Sequence, residues 1–174
     1  MGYASEYYDP QKAHEYYEKN KKLKGKRRST KGFNESQKAM YSYVKNDLKQ
    51  REKADKTTAS EDTKAKKSAI SEDAKAKRQA FTEECKKKVA AIRARMKNMS
   101  KEQKAAMKER INGQIAAIRE QFADKKAEVS QKASADKKQE SANLKVKKEG
   151  IHAEYDQKLT DAYNSIKSQK KVAK

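Results

Sequence analysis

Apolar residues recur every eleven positions along two long stretches of this chain. Leu48, Ala59, Ile70, Phe81 and Ile92 form one series; Ile111, Phe122, Ala133, Leu144, Tyr155 and Ile166 form the other. Eleven residues close almost three α-helical turns, so each series lies on a single helix face. The two series are out of step, which predicts an interruption between Ile92 and Ile111. The repeat is visible in the letters as well. Residues 59–69 read ASEDTKAKKSA and residues 70–80 read ISEDAKAKRQA. The next block, FTEECKKKVAA, keeps the apolar start, the acidic pair and the lysines. Acids precede lysines by about four residues, the favourable order for pairs on a helix surface.

The pattern predicts four segments. Residues 34–99 form a first long helical arm that starts at Asn34. Gln37, three residues on, completes a capping box, and Phe33 stands just outside. Met40, Val44 and Leu48 are its first stripe, flanked by Tyr41 and Tyr43. After Phe81 the stripe thickens through Cys85, Val89, Ile92, Met96 and Met99. A turn is then expected, with Asn98 as a helix-ending residue and Ser100–Gln103 as a second capping box. Residues 100–166 form the second arm, with a stripe of Met107, Ile111, Ile115, Ile118, Phe122 and Val129. Gly113 and Gly150 are candidate bends in it, and residues 130–150 are thin in apolar side chains. Ile151, Tyr155, Leu159, Tyr163 and Ile166 restore the stripe, and residues 167–174 form a basic tail.

A turn near Ser100 sets the two series opposite each other. Ile92 then meets Ile111, Phe81 meets Phe122, Ile70 meets Ala133, Ala59 meets Leu144 and Leu48 meets Tyr155. Twice a large residue falls opposite an alanine, as an interdigitated core requires. With Val89 and Ile118, the larger members of these pairs are the expected helix–helix core. Arms of this size would be roughly 75–100 Å long at 1.5 Å per residue. The expected fold is therefore all-α: a long helical antiparallel hairpin or coiled coil on hendecad and heptad spacing. The alternative is a single helix, or one broken elsewhere, that pairs with another chain.

Residues 1–33 differ in character. Asp9–Pro10 is a helix start, Asp as N-cap and Pro at the first helical position. A short helix should run to about Lys24 and stop at Gly25. Its apolar face of Ala13, Tyr16, Tyr17 and Leu23 is too small to be stable alone. Tyr7, Tyr8, Tyr16 and Tyr17 are thus expected to dock on a partner, with stacking on single-stranded bases as the alternative. A flexible basic arm follows, carrying Lys19, Lys21, Lys22, Lys24, Lys26, Arg27, Arg28 and Lys31 without an acid among them. Gly25, Ser29–Thr30 and Gly32 favour its mobility.

Composition sharpens this picture. Apolar residues are 34% of the chain, charged residues 40%, and Trp is absent, which rules out a conventional globular core and points to the long-helix class. The net charge of +20 favours a polyanionic partner. The lone Cys85 allows no disulfide framework and fits a reducing compartment. It lies on the apolar stripe and reads as a small buried hydrophobe. No run reaches membrane-span length and the N-terminus lacks a signal-peptide core, so a soluble, non-exported protein is expected. Catalysis finds no support. His14 and His152 are far apart in sequence, and no phosphate loop, nucleophile elbow or paired catalytic carboxylates occur. Neither a metal, a cofactor nor a small-molecule substrate is expected.

Tyr7-Tyr8-Asp9-Pro10, Lys12-Ala13-His14-Glu15-Tyr16-Tyr17, Leu23-Lys24-Gly25 and Ser29-Thr30-Lys31-Gly32-Phe33-Asn34 carry a resemblance, joined by Lys97-Asn98-Met99-Ser100-Lys101-Glu102-Gln103. The chain resembles small lysine-rich helical proteins encoded among the head and tail genes of tailed phages and prophages of Gram-positive bacteria. The likeness covers about the first 35 residues well and the rest in style. It implies a virion or capsid-assembly context and no activity. Together with the charge it predicts a structural or assembly protein of the phage head interior, located in the virion or in the host cytoplasm during assembly. The basic arm would bind packaged DNA non-specifically, or an acidic capsid or portal surface, and the helices would self-associate. The rivals are a helical scaffolding or spacer protein that binds only protein, and a histone-like DNA-compacting protein.

Overall fold

The computed structural model describes residues 28–169. The short helix, its docking tyrosines Tyr7, Tyr8, Tyr16 and Tyr17, and the arm cations from Lys19 to Arg27 lie outside them. So does the tail beyond Gln169. Two helices, α1 (Glu35–Lys97) and α2 (Lys101–Ser168), pack against each other as an all-α hairpin. The chain divides into two compact units, Ala65–Glu140 and the remainder of both helices, 28–64 with 141–169.

The unit Ala65–Glu140 contains the turn. Both groups of the Ser100–Gln103 capping box are made: Gln103 N–H donates to Ser100 Oγ at 3.2 Å and Ser100 N–H to Gln103 Oε1 at 3.1 Å. Each bond removes an orphan donor at the start of α2. The end of α1 differs from expectation. No described non-glycine residue has positive φ, so Asn98 does not stop the helix in the left-handed region. Met99 N–H instead bonds Met96 O at 3.1 Å, a tightened final turn. Below the turn, Val89, Ile111 and Ile115 are buried, with Cys85, Ile92, Met96, Met107 and Ile118 packed on them. Phe122 is the most buried large side chain, at 1% exposure. Its ring centroid lies 6.2 Å from that of Phe81, its counterpart in the expected register. Lys88 and Lys125 hold their ammonium groups 5.1 and 4.8 Å from the Phe122 ring, so their stems shield it. Ile70 and Ala133 line one groove with Ala74 and Val129. The helix runs through Gly113 without a break.

In the other unit, Ala59, Ile151 and Tyr155 are buried, and Leu48 and Leu144 pack on them. A second cluster joins Phe33, Tyr41, Tyr163 and Ile166 with Leu159. Here the first stripe of α1 starts in a different phase from the expectation, although Val44 and Leu48 are partly buried as expected. Tyr41 is buried, whereas Met40 and Tyr43 are 45% and 75% exposed. Gln37 sets that phase: it caps Asn34 and also donates to Ile166 O at 3.0 Å. Residues 130–150, thin in apolar side chains, remain within unbroken α2, as do Gly150 and Lys167.

Residues 28–33, the described end of the arm expected to be flexible, are tied down. Phe33 N–H bonds Thr30 O at 3.0 Å across a turn whose third residue, Gly32, has φ 94°; such a turn needs glycine there. It delivers Phe33 onto Tyr163, ring centroids 5.4 Å apart. The Tyr163 hydroxyl donates to Ser29 O at 2.6 Å. Arg28 pairs with Asp156 at 2.7 Å.

Candidate polyanion-binding surface

The described residues carry a large excess of positive charge. Residues 28–169 hold 35 of the 45 Lys and Arg but 21 of the 25 Asp and Glu. Most of the excess positive charge therefore sits on the helical pair and not on the N-terminal arm. Helix geometry sets how it is displayed, since a lysine that recurs every three or four residues stays on one face.

One such face belongs to the unit of 28–64 and 141–169. Lys49, Lys53, Lys56 and Lys64 of α1 line a groove of about 610 Å³, with Lys148 and His152 of α2 on its other wall. Glu52 lies among them. It accepts from Lys56 Nζ at 2.7 Å and from His152 Nδ1 at 2.7 Å. Burial alone would push its carboxyl up. The hydrogen bonds from Lys56 and His152, with their charges, more than reverse this and leave it below the usual carboxylate range. Glu52 thus stays ionised and orders the cations beside it.

One helical turn on, the Tyr155 hydroxyl donates to Asp55 Oδ2 at 2.6 Å. Burial, then the Asp55 hydrogen bond and charge, raise the phenol far above its ordinary value. Tyr155 is therefore a fixed donor and not a proton carrier. The Tyr41 phenol is raised too, by burial first, with Arg28 opposing.

No protein-family model, curated protein or solved structure matches this chain.

The sequence-predicted cations fare unequally. Lys31 is exposed. Arg28 is not on an open arm: its side chain is 19% exposed and its guanidinium is held by Asp156, from both the carboxylate and, at 3.5 Å, the carbonyl. The remaining arm cations lie outside the described residues. The groove lysines were missed because each is followed or preceded by acids in sequence, so their net charge per window is small. The signal was the eleven-residue spacing itself, which places Lys53 and Lys64 on one face. Among the described residues, no group of three or more His, Cys, Asp and Glu is placed to hold a metal ion. No described helix is long and apolar enough to cross a membrane.

Proposed function

We propose that this protein is a non-enzymatic structural or assembly protein that binds the phosphate backbone of duplex DNA without sequence preference. The observation that carries the reading is the charge on the packed helices: 33 Lys and Arg against 21 Asp and Glu on α1 and α2. Cations fixed on a helical scaffold neutralise phosphates and release counterions on binding. The basic arm adds to this surface, with Lys31 at its described end. The setting inside a phage head rests on the resemblance of the N-terminal motifs alone.

Neutralising the arm in the full chain tests the division of labour. A variant with Lys19, Lys21, Lys22, Lys24, Lys26 and Arg27 all changed to Gln should still bind duplex DNA. The slope of log affinity against log salt should shrink by no more than about 5, at roughly 0.9 per lost phosphate contact. Complete loss of binding would assign DNA contact to the arm and leave the helices a scaffold. A protein-only scaffold has one observation in its favour. Met40 and Tyr43 are exposed apolar side chains near the start of α1, and self-association abolished by Tyr43→Ser without any DNA affinity would support it.

A further inference from the structure

Within the unit Ala65–Glu140, charge is not evenly spread. That unit holds 21 Lys and Arg against 11 Asp and Glu, and residues 86–119 alone hold 11 against only Glu102 and Glu109. The turn brings part of this segment together. Lys86, Arg93 and Lys97 of α1 and Arg119 of α2 line a groove of about 430 Å³ that no acidic residue lines. Its remaining lining is Cys85, Val89, Ala90 and Ala94. Lys86, Ala90, Arg93 and Lys97 follow one another at steps of four, three and four, so they share a face of α1. The two alanines between the cations keep the floor low.

The helix macrodipole accounts for part of this. Cations in a last turn offset the partial negative charge of the helix C-terminus, which explains Arg95 and Lys97. It does not explain Lys86 or Arg93, farther back, or Arg119 on the other helix. Several cations of α1 find acids within a turn, as Lys56, Lys77 and Lys88 do, and Lys86 itself makes an exposed pair with Glu83 at 3.4 Å. Among the described residues, Arg93, Lys97 and Arg119 make no hydrogen bond or ion pair. Mutually repelling cations around a shallow floor cost stability, and an anion that bridges them removes the cost.

We infer that this groove is the primary seat for the nucleic-acid backbone: Arg93 and Arg119 grip phosphate oxygens from opposite walls, while Lys86 and Lys97 neutralise the flanking phosphates. Guanidinium forks can hold a phosphate through two parallel bonds, which ammonium groups cannot. A repeating anion satisfies several cations at once, and a duplex carries one charge per roughly 1.7 Å of axis. The inference rests on the DNA-binding reading above and makes it local.

Cys85 provides a reporter inside the groove, since it is a partly buried free thiol that lines it. In the full chain, iodoacetamide alkylation of Cys85 should slow several-fold when a mixed-sequence duplex is added to saturation. The triple variant R93Q/K97Q/R119Q should lose about 2 to 3 from its salt slope, at roughly 0.9 per phosphate contact. A control of equal charge at exposed sites outside the groove, K45Q/K66Q/K145Q, should lose less than about 1 on the same scale. A parent that binds duplex while Cys85 alkylation is unchanged and both triples weaken equally would overturn the groove and leave the general reading standing. A parent without salt-sensitive duplex binding would overturn both. Protection of Cys85 by poly-glutamate or by anionic phosphatidylserine vesicles, but not by duplex, would overturn the nucleic-acid assignment.

Discussion

Glu52 is the residue on which a titration can be read most directly. Its folded pKa is lowered, so its contribution is fully present above the unfolded carboxylate value and is lost as pH falls through the folded one. Glu52→Gln should therefore cost about 1.5 kcal/mol near neutral pH, the scale of a hydrogen bond to a charged group. The difference from the parent should close below pH about 4. Thermal melts across pH 3–7 check both statements. Tyr155 has the opposite sign. Its raised pKa gives stability that is complete below the ordinary tyrosine range and lost as pH rises through the folded value. Tyr155→Phe should thus flatten the alkaline limb of stability above pH about 10. Arg28 shows what local sequence hides at this scale. In a run of cations it reads as a phosphate ligand, yet Asp156, 128 positions away, claims it.

At the scale of the element, the packing should respond to single substitutions by very different amounts. Phe122→Ala removes the most buried large side chain, together with its contact to Phe81, and should cost about 3 kcal/mol. Gly113→Ala should do the reverse. A Cβ there would meet nothing within 4 Å, so the gain in helix propensity of about 1 kcal/mol is unopposed. Denaturant melts would measure both. The helices, their caps and the facing of Phe81 with Phe122 were legible because capping boxes are local and an eleven-residue period defines a face. What was not legible is the fifth position of the first two repeats, where Thr63 and Ala74 are buried at 9% and 3% exposure; only in the third does Cys85, partly buried, carry an apolar signal. Threonine and alanine carry no hydrophobic signal, yet their small side chains let the two helices approach. Tyr41 takes the buried place expected of Met40 for a related reason: Gln37, a polar residue, occupies a buried position through its bond to Ile166 O. Likewise, Gly32 read as a source of mobility, whereas its φ of 94° closes the turn that seats Phe33.

At the scale of the whole molecule, the proposed function rests on charge, with the hairpin as its support. Exposed ion pairs such as Asp47–Arg51 and Asp73–Lys77 contribute only about 0.5 kcal/mol each, so their abundance is not a stability device. The surplus of cations over these pairs, +20 for the chain, is what a polyanion would meet. The most direct test is the affinity of the full chain for a mixed-sequence duplex measured across salt concentrations. A straight fall of log affinity with log salt, of slope steeper than about −5 and equal for unrelated sequences, is the predicted result. Weak binding at low salt, or an affinity that salt leaves unchanged, would contradict the account and return the protein to the class of helical scaffolds.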